Sequence, residues 1–212
     1  MFTGIVQALV PVVSTEIRSG VLRLGVKMGN LTGGLQIGAS VAVNGVCLTV
    51  TGFSADVVHF DVIDETRRLT NIDGVSVGTL VDVERSFRAG DEIGGHVVSG
   101  HIAGTVVVFD IDQSEGVRNI TFIADAEHMK YLLHKGFVSL DGASLTIAFV
   151  DYSNNRFGVC LIPETIERTT LGRVMVGNRV NLEPDSQTQT IVDTVERLFR
   201  HEDLLIRLRG KA

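Results

Sequence analysis

Val43-Asn44-Gly45-Val46-Cys47-Leu48-Thr49-Val50 is written a second time as Leu140-Asp141-Gly142-Ala143-Ser144-Leu145-Thr146-Ile147. Each copy alternates apolar with small or polar residues around a two-residue turn. Asn-Gly and Asp-Gly favour the positive φ angles of a tight hairpin. The surrounding sequence repeats as well. Phe2-Thr3-Gly4-Ile5-Val6 matches Ile102-Ala103-Gly104-Thr105-Val106, and Asp64 to Asn71 matches Pro163 to Thr170. Val77 to Glu84 matches Val176 to Glu183. The four blocks keep their order at offsets of 97 to 100 residues, so each half is one unit of small-domain size.

Each half reads as β structure. Val41-Ala42-Val43 and Val81-Asp82-Val83 have a period of two, and several short strands with tight turns predict a small closed barrel, which leaves no exposed sheet edge. The segments beginning at Glu65-Thr66 and at its repeat partner predict single short helices. After the second half, Ile191, Val192, Val195, Leu198 and Phe199 fall at helical spacing, with Leu205, Ile206 and Leu208 continuing the face less regularly. Asp185 or Ser186 can cap this helix, and Ser186 with Gln189 fits a capping box. These readings divide the chain into a first barrel at 1–96, a second at 97–186 and a C-terminal helix at 187–212. The helix either packs back on the second barrel or meets copies of itself in an oligomer.

Composition narrows the partners. The 212 residues carry a net charge of −6, with no basic run of the kind that follows nucleic acid. Hydrophobic residues make up 44 %, enough for packed cores, and 23 glycines suit a turn-rich fold. Two distant cysteines form neither a disulfide framework nor a zinc motif. The N-terminus lacks a signal-peptide pattern, and no apolar stretch reaches the ~18–20 residues of a membrane span. A soluble cytoplasmic protein is expected.

Two sets of residues carry candidate chemistry. Gly94-Gly95-His96-Val97-Val98-Ser99-Gly100-His101 joins the halves. It matches no phosphate-binding loop, and two histidines five residues apart do not make a metal site. The segment reads either as a plain linker or as a glycine frame carrying two near-neutral titrating side chains into a cleft. Cys47 with Thr49, and Ser144 with Thr146, stand on the same face of equivalent strands. A small polar pair repeated in both halves suits a repeated site for a polar ring ligand. Cys47 has no neighbouring base in the sequence to make it a nucleophile.

Together these motifs resemble riboflavin synthase, the single-chain family with two lumazine-binding repeats. The resemblance rests on Met1-Phe2-Thr3-Gly4-Ile5-Val6, Gly38 to Val50, Gly94 to His101, Lys135-Gly136-Phe137, Asp141-Gly142 with Ser144-Leu145-Thr146, and Leu161 to Thr165. It extends through Gln187-Thr188-Gln189 and Val192 to Arg197, so it spans essentially the whole chain. It implies two six-stranded antiparallel barrels and a C-terminal helix assembled as a homotrimer, with the first barrel of one subunit facing the second barrel of its neighbour. It also allows for an association with lumazine synthase.

The implied reaction joins two molecules of 6,7-dimethyl-8-ribityllumazine. One donates a four-carbon unit to the other, giving riboflavin and 5-amino-6-ribitylaminouracil, with no metal or redox cofactor because the C7 methyl group is acidic. The enzyme's task is to appose two rings and manage protons. Implied ligand contacts in the first half are Gly4, Ile5, Val6, Ser40, Cys47, Leu48, Thr49 and Asp61-Val62-Ile63-Asp64-Glu65-Thr66. Those in the second are Gly100, His101, Ile102, Lys135, Ser144, Leu145, Thr146 and Cys160-Leu161-Ile162-Pro163-Glu164-Thr165. Phe2, His96, His101, Ser144 and Asp185 are the implied catalytic positions, with His101 the preferred proton-transfer group. Asp64 opposite Pro163 and Arg67 opposite Ile166 depart from the repeat and bear on the first ligand segment. A lumazine- or flavin-binding antenna protein without turnover is the alternative, although such relatives lose the second-half site and the histidine-bearing joint. A flavin-reductase-like barrel would be followed by a dinucleotide-binding domain, and no strand-linked G-x-G-x-x-G stands here.

Overall fold

The computed structural model describes residues 1–114 and 116–200. The first half contains β1 (Ala8–Arg18), β2 (Val21–Lys27), β3 (Ser40–Val43), β4 (Val46–Ser54), β5 (Val57–Val62), α1 (Asp64–Leu69) and β6 (Leu80–Arg85). The second contains β7 (Gly104–Ser114), β8 (Val117–Ile123), α2 (Ala126–Met129), β9 (Phe137–Leu140), β10 (Ala143–Asp151), β11 (Arg156–Leu161), α3 (Pro163–Arg168) and β12 (Arg179–Pro184), followed by α4 (Ser186–Arg200). Each half closes into a six-stranded antiparallel barrel, in the order β1-β2-β5-β4-β3-β6 and its counterpart β7-β8-β11-β10-β9-β12. Among the described residues no helix is long and apolar enough to cross a membrane.

Strand alternation builds the cores. In β4, Val46, Leu48 and Val50 point inward while Cys47 and Thr49 face out; Ala143, Leu145 and Ile147 of β10 repeat this against Ser144 and Thr146. Phe60, Leu24 and Val83 fill the first barrel, and Phe122, stacked on Phe157 at 5.4 Å, fills the second. Closing so small a barrel needs sharp bends. Register breaks at Val12/Ser14 and Val50/Gly52 recur at Val108/Asp110 and Ile147/Phe149.

One block of the repeat shifts register. Gly4 and Gly100, with φ of +74° and +83°, occupy equivalent backbone positions, and each carbonyl accepts an N–H from a strand of the other barrel. Thr3-Gly4 therefore corresponds to Ser99-Gly100, four residues before the match that the letters favour. Gly104 lies inside β7 with no positive φ. Glycines at both 100 and 104 make the two alignments look alike in sequence.

The barrels meet at their hairpin tips. Asn44-Gly45 and Asp141-Gly142 all have positive φ, and a methyl group on Gly45 would lie 2.6 Å from the Gly142 nitrogen. Around this contact runs a reciprocal polar network. The Asn71 N–H donates to Asn181 Oδ1 (2.7 Å), and the Thr170 N–H donates to Asp82 Oδ1 (2.8 Å). Within each barrel, Asn44 Oδ1 accepts the Asp82 N–H and Asp141 Oδ1 accepts the Asn181 N–H, both at 2.8 Å. The Asn181 amide also reaches the Asn44 carbonyl, and the Asn71 amide reaches Asp141.

Helix α4 stands against the second barrel through polar contacts. Tyr131 donates to Asp193 (2.6 Å) and Lys130 to Glu196 (2.7 Å). Of its apolar residues, Ile191, Val195 and Phe199 are exposed, while Val192 and Leu198 are half-buried. The cap is Asp185, whose Oδ2 accepts the N–H and O–H of Thr188 at 2.8 Å; Ser186 is the first helical residue rather than part of a capping box. Leu205, Ile206 and Leu208 lie outside the described residues.

The seam holds two buried carboxyls, and Thr170 Oγ1 lies 2.7 Å from Asp82 and 3.3 Å from Asp141. A single hydroxyl proton satisfies one of these contacts, so a proton on one carboxyl completes the other. Burial, then the charge of Asp141, pushes Asp82 up to about 8 from 3.8, against the pull of Thr170 and Arg173. Burial likewise raises Asp141. Between pH 4 and 8 the folded chain therefore holds more protons at Asp82 than the unfolded chain, and stability falls as pH rises through that window. Asp82→Asn, which copies its repeat partner Asn181, should gain about 1–3 kcal/mol at pH 8 relative to its effect at pH 5. Urea unfolding at the two pH values checks this; an unchanged pH slope refutes it.

Candidate functional site

The second barrel presents a cavity of about 300 Å³ lined by Lys135, Ser144, Leu145, Thr146, Ala148, Cys160, Ile162 and Thr165. Ser144 and Thr146 form its floor on the outward face of β10. Ala148 belongs to the same face by the period of two, a signal that the sequence reading passed over. Leu145 and Leu161 turn their side chains into the core, as do Leu48 and Val62 in the first half, so these four expected contacts offer backbone rather than side chain. Lys135 holds φ +65°, where its counterpart Gly38 has +86°. That conformation costs a lysine roughly 1–2 kcal/mol. The turn is held by its N–H on the Ile147 carbonyl at 2.9 Å.

His96 adjoins this cavity. It is buried, its Nδ1 lies 2.6 Å from Ser144 Oγ, and its ring stacks on Phe137 at 5.1 Å. Burial lowers its pKa below the usual imidazole value, with the Asp185 charge opposing. A neutral imidazole here can accept the Ser144 hydroxyl proton. Asp185 thus both caps α4 and biases His96. Phe137, absent from the expected site, is exposed to nearly half its area and stands where the first half has Ser40.

The ends of the two halves are exchanged. The Glu84 carboxylate binds the Thr3 N–H (2.6 Å), the Thr3 hydroxyl (2.8 Å) and the Gly4 N–H (3.0 Å). Glu183 binds the Ser99 N–H (2.8 Å), its hydroxyl (2.6 Å) and the Gly100 N–H (3.0 Å). Burial raises the pKa of both carboxyls. Each clamped loop leans on the opposite barrel. The Gly4 carbonyl accepts the Ser144 N–H (2.8 Å), and the Gly100 carbonyl accepts the Cys47 N–H (2.9 Å). Val6 packs on the second core and Ile102 on the first.

This corrects the assignment of contacts by half. Gly4, Ile5 and Val6 stand with Ser144 in the second barrel, and Gly100, His101 and Ile102 stand with Cys47 in the first. The reason is steric and local: a methyl group on Gly4 or Gly100 would lie 2.5 Å from the Cβ of Ser144 or Cys47, so both glycines permit direct backbone contact across the seam. Phe2 lies within the same seam. Its ring is 1 % exposed and packs with Ala42, Val98 and Cys47, while its backbone bridges Val98. It supports the seam from inside.

In the first barrel, Ser40 pairs with Thr49 across β3 and β4, next to Cys47. Asp61 is held by Arg23 at 3.1 Å, Asp64 by Arg68, and Ile63 and Glu65 are exposed. Thr66 and Thr165 play the same part, each carbonyl accepting a threonine hydroxyl at 2.7 Å. Asp64 and Pro163 are each the first residue of a helix, a position that favours both types. Glu164 pairs with Arg168 on α3. Arg67 pairs with Asp73, whereas Ile166 packs on the second core. A larger groove of about 630 Å³ follows the seam, but its arginines are engaged, Arg67 and Arg68 by carboxylates and Arg179 by Thr105. The smaller cavity, with the His96–Ser144 pair beside it, is the better site.

The lumazine binding domain family matches residues 3–86 and again 99–185, the register set by the Thr3 and Ser99 clamps. Riboflavin synthase of Escherichia coli (strain K12) is 50 % identical over 204 residues, covering 94 % of this chain and 93 % of that protein. The riboflavin synthase of Buchnera aphidicola subsp. Baizongia pistaciae is 43 % identical over 202 residues, with 94 % of each chain covered. Among solved structures, LumP complexed with riboflavin superposes with a TM-score of 0.80 at 26 % identity, covering 88 % of this chain and all of that one. LumP complexed with 6,7-dimethyl-8-(1'-D-ribityl) lumazine gives 0.77 at 27 % identity, covering 86 % and 98 %. With two matched domains and full-length relatives, the chain belongs to the riboflavin synthase family, each half a lumazine binding domain.

Proposed function

We propose that this chain is a riboflavin synthase that converts two molecules of 6,7-dimethyl-8-ribityllumazine into riboflavin and 5-amino-6-ribitylaminouracil. The carrying observation is similarity to riboflavin synthases over both halves, with the polar pair intact in each. One barrel holds the donor lumazine and one the acceptor, and joining them is chiefly a matter of proximity. Among the site residues, His101 stands at the first barrel and His96, kept neutral by burial, beside Ser144 at the second. These imidazoles supply proton transfer. The purified protein should form one riboflavin per two lumazines in EDTA, without NAD(P)H or another carbon source. Lumazine bound without product would instead mark a binding protein.

The reading extends to a cytoplasmic homotrimer in which the first barrel of one subunit faces the second barrel of the next. The exposed stripe Ile191, Val195, Phe199 on α4 supports it, since these apolar side chains are left uncovered by the barrel that Lys130 and Tyr131 tie to the helix. Removal of 187–212 should leave folded protein of monomer mass with little synthase activity. A truncated protein that remains trimeric refutes this role.

An inter-subunit site also predicts complementation. A variant altered at Cys47 and another altered at Ser144 should each be nearly inactive alone. Co-expressed with different tags and purified through both, they should regain part of the activity, because some interfaces pair two undamaged barrels. Mixed trimers as inactive as either parent exclude a site shared between chains.

A further inference from the structure

We propose that Glu183 is a positioning residue for His101, acting from the second barrel on the site of the first. The proposal rests on the reading of His101 as a proton-transfer group.

Both Glu183 oxygens are committed to the loop before His101: one accepts the N–H and O–H of Ser99, the other the N–H of Gly100. The Ser99 hydroxyl oxygen then accepts the N–H of His101 itself at 3.2 Å. Three successive residues are thus fixed from one carboxylate. The Gly100 carbonyl, held by the Cys47 N–H at 2.9 Å, anchors the same loop to the first barrel. Gly100 is pressed against Cys47 at φ +83°, so the backbone has little room to swing. His101 is exposed, and among the described residues no hydrogen bond holds its ring. Its aim depends on the backbone beneath it.

Glu84 shows what the clamp does without that cargo. It grips Thr3 and Gly4 in the same manner, and the Thr3 hydroxyl accepts the N–H of Ile5 at 3.4 Å. The device recurs, but only the Glu183 copy delivers a group that can carry a proton.

Glu183→Gln keeps the size of the side chain but turns an NH2 group toward N–H or O–H donors. It should lower kcat about 10–100-fold, with KM changed by less than about threefold, as expected when a reacting group is displaced by about 1 Å. The deciding measurement is the cycle with His101→Ala. In that background Glu183→Gln should cost no more than about a further twofold. Glu84→Gln, compared by thermal unfolding, gives the fold contribution of one clamp. If Glu183→Gln does not fold, Ser99→Ala removes only the hydroxyl relay; its smaller loss of kcat should likewise vanish in the His101→Ala background. Losses that multiply in the double variant, or a His101→Ala enzyme as fast as the wild type, overturn the proposal while the activity stands. A wild-type protein that makes no riboflavin overturns the functional reading itself.

Discussion

Two turns pressed together at Gly45 and Gly142 hold the whole arrangement. Glycine is required there twice over, for the positive φ and because a side chain on either tip would run into the other backbone. Once the tips touch, the neighbouring polar groups lose water and must find partners. They find them across the seam: the Asn71 N–H needs Asn181, and the Thr170 N–H needs Asp82. Neither barrel satisfies these groups alone. A network that is complete only when both halves are present selects one relative orientation, where apolar contact by itself would tolerate several. That orientation brings Gly4 onto Ser144 and Gly100 onto Cys47, so the seam also determines what surrounds each polar pair.

Much of this was legible in the sequence because it is local. The Asn-Gly and Asp-Gly turns, the alternation through Cys47-Leu48-Thr49 and Ser144-Leu145-Thr146, and the stripe on α4 follow from periods of two and 3.6 and from turn chemistry. What stayed hidden depends on distant pairings. Glu84 reads as one more polar residue in an alternating strand, and nothing local reveals that it binds Thr3, eighty-one positions away. For the same reason the sequence does not show that Gly4 to Val6 lean on the second barrel, and Gly104 resembles Gly100 in the repeat. Phe137 escaped notice for a related reason: it lies next to recognised motif residues, but its partner His96 arrives from the linker. Only Ala148 was within reach of the period-two argument.

In the proposed reaction, a repeat that binds two copies of one substrate meets a chemical constraint, because one lumazine gives up what the other takes. A perfectly symmetric frame would treat both alike. The frame here is close to symmetric: two clamps, two pairs of bulges, two tip turns, matched to within a few tenths of an ångström in their hydrogen bonds. The departures are concentrated in the residues that the frame presents. Ile5 is matched by His101, Cys47 by Ser144, Ser40 by Phe137, Gly38 by Lys135 and Asp61 by Cys160. The exchange of loops then mixes these differences. The first barrel keeps its thiol but receives His101 from the second, and the second keeps its hydroxyl and lysine but receives Ile5 from the first. Neither polar face can therefore be understood from one half of the sequence, and in the proposed reaction the inequality between donor and acceptor is created by the crossing as much as by the substitutions.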